Sequence, residues 1–372
     1  MLISYSRSSS ISNFEFCQQQ YFLTYNLGYY RPAQKKADQG SAVHKCLEQL
    51  AIAKKYIQDN PTCTEITIDD MTFGVAELME ETTLTDVEVD AINKSRINKN
   101  VYLCPHKVPY GQKRYGANIV NVLIRKACDY YSTKSEEPWS KISFTECNNF
   151  AWMTLDYKGG IYDPRRRTIT EPEKHFDITI EKDWAKYEYV SPTGEKLIGQ
   201  FGIKGTVDLL TELGPDTLEI VDWKTGQRKN WATGEVKTYD KLCDDTQLMM
   251  YFYAMTKLYP QYKHIFVTIF FVRDGGPFTI GFESSNLEIV EERLRKHFEE
   301  VKGTTHPEMC SEDQSDFRCT RLCNYFKEKN TETGLNICKH IHNETKVIGI
   351  ENVIEKYKRP DFSVGFYESP GL

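Results

Sequence analysis

The fold of this chain is decided by GTVDLLTELGPDTLEIVDWKTG, residues 205–226. Two apolar segments rich in β-branched residues flank the turn Gly214-Pro215-Asp216, which predicts a β-hairpin. Because side chains alternate along a strand, Asp222 and Lys224 project from the same face, and the hairpin can bring Asp208 beside Asp222. Two carboxylates with a lysine at their edge are suited to binding Mg²⁺. The alternative is a surface hairpin whose charged residues contact only water, but the apolar strands favour a buried sheet, where charge is costly.

Patterns typical of strands and helices surround this hairpin. Alternating apolar residues predict strands and apolar residues at helical spacing predict helices, one of which opens at a capping box formed by Ser285 and Glu288. We expect strands over 175–181, 185–190, 197–213, 217–223, 264–274 and 277–283, and helices over 8–16, 41–57, 241–258 and 285–301. This order predicts the α/β class, with a central mixed sheet flanked by helices.

Composition and charge narrow the class of protein. The 372 residues are 40% hydrophobic and 27% charged, which is globular and excludes a collagen-like or mostly disordered chain. Apolar runs such as 265–272 are too short to span a membrane, and the N-terminus lacks the apolar segment of a secretory signal. We therefore expect a soluble, intracellular protein without a membrane partner. The net charge of −6 argues against a chain that binds nucleic acid over its whole surface.

Charge is strongly segregated in one part of the chain. Residues 64–93 carry nine acidic and no basic residues, whereas residues 94–126 carry eight basic and no acidic residues. Tyrosines interleave with the basic residues, and cations combined with stacking rings are what a path for single-stranded nucleic acid requires. The alternative, of equal standing, is a pair of oppositely charged faces that neutralise each other. The residues of this candidate DNA path are Lys99, Lys107, Tyr110, Lys113, Arg114 and Tyr115.

Ten of the eleven cysteines fall into a scattered group and a C-terminal group, and Cys17 lies near the N-terminus. Because an intracellular chain keeps its thiols reduced, clustered cysteines favour a metal or an iron–sulfur cluster over disulfides. The scattered ones are expected to be small buried hydrophobic residues: Cys46, Cys63, Cys104, Cys128, Cys147 and Cys243. The C-terminal group indicates a separate role and consists of Cys310, Cys319, Cys323 and Cys338.

Four motifs, in this order along the chain, resemble those of the PD-(D/E)XK nuclease superfamily. They are Gly40-Ser-Ala-Val-His44, Asp208, Asp222-Trp-Lys224 and Gln247-Leu-Met-Met-Tyr251. More narrowly, they are similar to the RecB-type exonuclease branch, which includes the CRISPR adaptation nuclease and the nuclease domain of the AddB helicase subunit. The resemblance covers Ser4 to about Leu50 and about Gly199 to His340, and leaves the insertion between them unmatched. It implies a restriction-endonuclease-like core and an enzyme that hydrolyses DNA with one or two Mg²⁺ or Mn²⁺ ions.

The resemblance also implies roles for individual residues. Lys224 corresponds to the catalytic lysine, which activates the attacking water or stabilises the charged phosphorane. Gln247 and Tyr251 lie one helical turn apart and correspond to the motif that orients the lysine and the DNA backbone. The family's metal ligands correspond to His44, Asp208, Asp222 and the backbone carbonyl of Trp223. Phosphodiester hydrolysis needs hydroxide near neutral pH, which a bound divalent ion provides.

A second resemblance concerns the cysteines. Iron–sulfur members of the branch have one cysteine before the histidine motif and three near the C-terminus. This implies a structural [4Fe–4S] cluster held by Cys17, Cys319, Cys323 and Cys338. The spacing departs from the usual pattern because the first pair is CxxxC and Cys338 lies far downstream, so Cys310 is a rival ligand. The alternatives are unligated thiols or zinc, bound by Cys310, Cys319, Cys323 and Cys338 with His340 in reserve.

These patterns divide the chain into five segments. We expect an N-terminal helical part with Cys17 and the histidine motif over 1–63, a charge-partitioned and mainly helical insertion over 64–173, a nuclease core over 174–302, a C-terminal cysteine segment over 303–358 and a tail over 359–372. Within the insertion, the run Arg165-Arg166-Arg167 is expected to be a solvated turn rather than a phosphate-binding loop.

The resemblance implies an exonuclease that acts on single strands or duplex ends in DNA recombination, repair or degradation, in some members with a helicase or recombinase partner. Stand-alone members of this size are common in bacteriophages, which implies the cytoplasm of a host cell. One alternative is a structure-specific or sequence-specific endonuclease on the same fold. The other is a non-catalytic DNA-binding assembly subunit, against which the intact charged motifs argue because clustered charge is costly to keep. The chain contains no Walker A loop and is therefore not a helicase motor.

Overall fold

The computed structural model describes residues 1–29, 35–96, 107–134, 142–190, 194, 196–229, 234–274, 276–311, 313 and 316–359. The chain forms two compact units, each built from discontinuous segments. The first unit comprises Met1–Arg31, Phe176–Gly205 and Glu283–Leu372, and the second comprises Pro32–His175 and Thr206–Phe282. Almost all of the predicted tail lies outside the described residues.

Helices and strands alternate along the described residues. The strands are β1 Tyr5–Ser6, β2 Glu65–Ile68, β3 Met71–Gly74, β4 Glu81–Thr83, β5 Lys113–Tyr115, β6 Thr168–Thr179, β7 Lys186–Val190, β8 Lys196–Gln200, β9 Gly202–Gly214, β10 Thr217–Lys224, β11 His264–Phe271 and β12 Gly276–Gly281. The helices are α1 Ser8–Phe16, α2 Gln18–Tyr25, α3 Lys35–Asp59, α4 Val75–Leu78, α5 Asp86–Arg96, α6 Ala117–Lys134, α7 Phe144–Leu155, α8 Tyr239–Cys243, α9 Thr246–Leu258, α10 Ser285–Gly303, α11 Ile337–Ile348 and α12 Ile350–Tyr357. Among these described helices, none combines the length and the apolar character needed to cross a bilayer.

The predicted hairpin, β9 with β10, lies in a mixed sheet. β9 pairs with β10 antiparallel, β10 pairs with β11 parallel, and β11 pairs with β12 antiparallel. The parallel pair requires a crossover, and α8 and α9 lie in the connecting segment. Leu218, Ile220, Val221 and Trp223 are each at most 1% exposed, which explains why β10 is almost continuously apolar. The α/β class and the mixed sheet are as predicted.

Helix α3 is held against this sheet by its apolar face. Val43, Leu47 and Leu50, which lie in the helix predicted over 41–57, are fully buried, and α3 also contacts α6 and α7. The same apolar cluster includes Trp223 of β10. The burial of each large side chain contributes roughly 2 kcal/mol, so this packing fixes α3 relative to the strand that carries Asp222 and Lys224.

The insertion is more varied than its charge pattern predicted. Helices α5, α6 and α7 account for less than half of its described length, and it also contains two short antiparallel ribbons, β2 with β3 and β4 with β5. In β2 the alternation places Ile66 and Ile68 in the core and leaves Glu65 and Thr67 exposed. Period-two burial of β-branched residues favours a strand over a helix.

In the first unit, helix α10 begins at the predicted residue but is capped differently. Val290, Leu294, Phe298 and Val301 form its buried face, in agreement with the predicted helix. The expected capping box of Ser285 and Glu288 is wrong: the side-chain oxygen of Asn286 accepts a hydrogen bond of 2.8 Å from the Glu283 amide. Asn side chains readily bond to nearby backbone donors, which competes with a Ser-based cap.

Candidate active site

A side-chain hydrogen bond links strands β9 and β10 just beyond the point where their backbone pairing ends. Their backbone register runs as far as Leu209 and Val221. Beyond it, the Trp223 amide donates a hydrogen bond of 2.7 Å to Oδ2 of Asp208. This bond fixes the Asp208 carboxylate beside the end of β10, close to Asp222 and Lys224.

His44 reaches the same carboxylate from helix α3. Its Nδ1 lies 3.5 Å from Oδ1 of Asp208, and its ring meets the Trp223 ring edge-on at a centroid distance of 6.3 Å. The His44 and Asp208 side chains are 32% and 21% exposed, so solvent reaches this pair. The histidine motif and the hairpin therefore come together, as the resemblance implied.

Gly40, one turn before His44, lets α3 approach β10 closely. A Cβ atom at residue 40 would lie 2.8 Å from Oγ1 of Thr225, the residue that follows Lys224. Such a contact is shorter than real Cβ atoms show, so a side chain at residue 40 displaces Thr225, the helix or both. Gly40 belongs to the predicted histidine motif, whereas no sequence pattern indicates a role for Thr225.

We expect Gly40→Ala to lower the rate of DNA hydrolysis about tenfold, because a shift of His44 relative to Asp208 misplaces a reacting group. Stability should change little, since alanine favours a helix by about 1 kcal/mol over glycine and offsets the strain. Cleavage rates and thermal unfolding check both statements. Gly214→Ala, where a Cβ meets nothing within 4 Å, is the control. Thr225→Ala should restore activity in the Gly40→Ala chain, and unchanged activity in Gly40→Ala alone would contradict the close-approach argument.

Asp222 and Lys224 form an ion pair on one face of β10. The Lys224 Nζ lies 3.0 Å from Oδ1 and 2.8 Å from Oδ2 of Asp222. The Asp222 side chain is only 2% exposed, whereas that of Lys224 is 33% exposed. The alternation of the strand thus places both residues as predicted, with the Asp222 carboxylate buried and the Lys224 side chain partly exposed.

The two carboxyl groups have opposite pKa shifts. Burial alone would raise the pKa of Asp208, but His44, Lys224 and the Trp223 amide outweigh burial and lower it. At Asp222, burial and the charge of Asp208 outweigh the attraction of Lys224, so the pKa of Asp222 is raised. Asp208 is therefore the more firmly ionised carboxylate of the pair.

The neighbouring carboxylates favour the charged forms of both basic groups at the site. Burial opposes the protonation of His44 and Lys224, but the neighbouring Asp208 and Asp222 outweigh it and raise the pKa of both groups. Lys224 is consequently a cation at neutral pH. A protonated lysine can stabilise negative charge but cannot accept a proton, which limits it to an electrostatic role.

Gln247 and Tyr251 of helix α9 support Asp222. Gln247 Nε2 donates a hydrogen bond of 2.8 Å to Oη of Tyr251, and Tyr251 in turn hydrogen bonds with Asp222. Burial, together with the charges of Asp222 and Asp208, raises the pKa of Tyr251 well above its usual value, so its hydroxyl stays protonated. Asp245 caps the helix by accepting a 3.0 Å bond from the Gln247 amide. The predicted motif pair thus holds the deeper carboxylate in place.

In the first unit, five cysteines line one small cavity: Cys17, Cys310, Cys319, Cys323 and Cys338. The Sγ atoms of Cys310 and Cys319 are 3.6 Å apart. A hydrogen bond with Cys310, followed by burial, raises the pKa of Cys17, and burial together with the neighbouring thiols raises the pKa of Cys338. The four cysteines predicted as ligands and their rival Cys310 therefore all lie together. His340, the reserve zinc ligand, instead contacts Thr333 and Tyr357.

The scattered cysteines follow expectation in part. Cys46, Cys128 and Cys147 are buried, as small hydrophobic residues are expected to be. Cys63 and Cys243 are only half-buried, which corrects the prediction for these two. Cys104 lies outside the described residues.

The donor atoms of both clusters suit metals, although they are not arranged around a single ion. In the described part of the chain, no group of three or more His, Cys, Asp or Glu residues has the geometry to hold one metal ion. The Asp208 and Asp222 carboxylates are paired with His44 and Lys224 instead. By chemistry, two carboxylates, an imidazole and a carbonyl suit Mg²⁺ or Mn²⁺, and five thiols suit an iron–sulfur cluster or zinc.

Most of the candidate DNA path makes contacts within the protein. Lys113 forms an ion pair with Glu81, the Tyr115 hydroxyl donates to Glu81 at 3.0 Å, and the Tyr110 hydroxyl donates to Asp90 at 2.7 Å. Lys107 is exposed, and Lys99 lies outside the described residues. These pairs join the basic stretch to the acidic stretch, which favours the interpretation of faces that neutralise each other.

Arg114 contacts a buried carboxylate and an aromatic ring of the protein. Its guanidinium donates to both oxygens of Asp156, at 3.1 and 2.7 Å, and lies 4.1 Å from the centre of the Trp152 ring. Arg96 bonds to the same carboxylate at 2.9 Å. Since the Arg114 side chain is only 12% exposed, it does not present its charge to solvent as phosphate binding requires.

Within the arginine run, Arg165 is buried and Arg167 is partly buried, which corrects the expectation of a solvated turn for these two, whereas Arg166 is exposed as expected. Arg165 is 1% exposed and binds Asp163 through two hydrogen bonds of 2.9 and 2.7 Å. Arg167 pairs with the buried Glu219. Buried carboxylates compensate these charges, and the sequence contained no local signal for the pairing with Glu219.

A mixed sheet whose central hairpin carries two aspartates and a lysine is typical of the restriction-endonuclease-like nucleases. The family model of the PD-(D/E)XK nuclease superfamily matches residues 8–327, and the chain belongs to this superfamily. A search of curated proteins finds no match. Among solved structures, a presumed exonuclease from Eubacterium rectale is similar, with 13% sequence identity, a TM-score of 0.36 and coverage of 88% of this chain and 91% of that chain.

Proposed function

We propose that the protein is a metal-dependent deoxyribonuclease of the RecB-type branch that removes nucleotides from DNA ends. The observation that carries this proposal is the convergence of His44, Asp208, Asp222 and Lys224 in the second unit. The order of the four motifs supports the exonuclease branch. We further propose a role in DNA recombination, repair or degradation, alone or beside a helicase or recombinase.

Each residue of the site has its own role in hydrolysis. When bound, a divalent ion supplies hydroxide near neutral pH and neutralises charge on the attacked phosphate. His44, Asp208, Asp222 and the Trp223 carbonyl would hold this ion. Lys224, protonated and partly exposed, stabilises the negative charge that develops on the phosphate. Tyr251, held by Gln247, keeps the Asp222 carboxylate in position.

The test of this proposal is digestion of end-labelled linear DNA beside covalently closed circles of the same sequence, each in single-stranded and duplex form. With Mg²⁺ or Mn²⁺ we expect linear DNA to shorten from its ends while circles persist, and a chelator should stop the reaction. Circles cut as fast as linear DNA would overturn the exonuclease assignment in favour of an endonuclease. Binding without cleavage of any substrate would indicate a non-catalytic DNA-binding subunit.

We also propose that Cys17, Cys319, Cys323 and Cys338 hold a structural [4Fe–4S] cluster. Support comes from the common cavity that these four cysteines line and from the motif pattern of iron–sulfur members of the branch. Within the first unit the cluster would join the start of α2 to the segments before and within α11. Its role is then to stabilise this unit rather than to take part in hydrolysis.

A further inference from the structure

Beside Asp208, an exposed histidine is held by a neighbouring threonine. His175 of β6 has its Nδ1 2.8 Å from Oγ1 of Thr206 on β9. The His175 side chain is exposed, and Thr206 is partly exposed. Neither residue belongs to the four motifs, and neither has a role in the proposed hydrolysis.

Thr206 faces the same way as the catalytic carboxylate. Residues 206 and 208 are two apart on β9, so their side chains lie on one face of the sheet, and the intervening Val207 is fully buried. Two strand residues span about 6.8 Å. This is close to the spacing between neighbouring phosphates of an extended nucleic-acid strand.

The pair presents a hydrogen-bond donor in every protonation state. If the Thr206 hydroxyl donates to Nδ1, the proton of His175 is on Nε2. If Nδ1 donates to Thr206, the hydroxyl proton remains available, and in the imidazolium form both groups can donate. A phosphate oxygen only accepts, so the pair suits a phosphodiester.

We infer that His175 and Thr206 form a binding subsite for the DNA phosphate next to the one that is hydrolysed. The inference rests on the proposed nuclease function, since it takes Asp208 as the position of the reacting phosphate. The subsite binds substrate and takes no part in the bond-breaking step. It aligns the strand so that the scissile phosphate lies at Asp208 and Lys224.

The first test compares three variants of the full-length protein: His175→Ala, Thr206→Val and the control His264→Ala, an exposed histidine at the start of β11. Loss of a hydrogen bond to a charged phosphate should raise KM for a short oligonucleotide about tenfold in the first two variants, with kcat within about twofold of wild type. His264→Ala should match wild type. A His175→Ala enzyme with the kinetics of His264→Ala would overturn the inference.

The second test locates the phosphate and does not depend on cleavage. Oligonucleotides with one neutral methylphosphonate at successive positions are titrated, by fluorescence anisotropy, against chains that carry Asp222→Asn. At one position, the methylphosphonate should weaken binding about tenfold to the chain that carries only Asp222→Asn. It should have no effect at that position on the chain that also carries His175→Ala. Equal losses in both chains at every position would overturn the subsite. If the wild-type protein binds these oligonucleotides as expected but cleaves no DNA, the proposed nuclease function is wrong. The anisotropy measurements then still decide whether the phosphate subsite exists.

Discussion

Asp222→Asn should lower the rate of DNA hydrolysis about a thousandfold, the effect expected when a preorganised charge at a reacting phosphate is lost. Asparagine keeps the volume of the side chain and can still accept a bond from Lys224, so the fold should persist. DNA binding should also persist, because the loss falls on the transition state and not on the ground state. Single-turnover cleavage, thermal unfolding and anisotropy measure these three quantities.

Lys224→Gln should have a similar effect, and the double variant should be little worse than either single one, because the ion pair acts as a unit. Asp216→Asn, in the turn of the same hairpin, is the matched control and should keep wild-type activity. Retention of more than about a tenth of the wild-type rate in Asp222→Asn would mean that the reacting centre lies elsewhere.

The second large effect concerns the cysteine cavity. Cys17 and Cys319 are about three hundred residues apart, so a shared cluster closes most of the chain into a loop and restricts its unfolded state. In the entropic model this is worth roughly 5 kcal/mol. Protein purified without oxygen should be brown and contain about four iron and four sulfide per chain. Cys17→Ala should lose both colour and solubility.

Matched cysteine variants separate the possible ligand sets. Cys46→Ala, a buried cysteine of the second unit, should keep the colour, since any loss there is only one of packing. Cys338→Ala should be colourless and Cys310→Ala brown if Cys338 is the fourth ligand, and the reverse result would exchange the two. A colourless protein that contains zinc, with Cys17→Ala behaving as wild type, would contradict the cluster.

Local patterns were sufficient to predict the centre of the site. Period-two alternation placed Asp222 and Lys224 on one face, and the structure brings Lys224 Nζ within 3.0 Å of both Asp222 oxygens. The turn at Gly214 predicted the hairpin that carries Asp208. These features depend on neighbours in sequence or on a single tight turn, which is the range over which such patterns are informative.

Contacts between distant segments could not be predicted in the same way. Arg114 is 42 residues from Asp156, a carboxylate outside the acidic stretch, so the charge pattern did not predict that these two residues pair. The hydrogen bond from the Trp223 amide to Asp208 depends on where two strands part. The approach of Gly40 to Thr225 depends on helix–sheet packing. Each requires the three-dimensional path of the chain, which residue spacing does not contain.

The interleaving of the two units has a consequence for protein synthesis. All segments of the second unit have been made once residue 282 has been added, whereas the first unit still lacks everything from Glu283 onward. Chains fold as they emerge from the ribosome, with N-terminal parts first. Cys17 is made long before Cys338, yet its pocket cannot form until Cys338 has been added. The nuclease centre is therefore expected to fold before the thiol pocket.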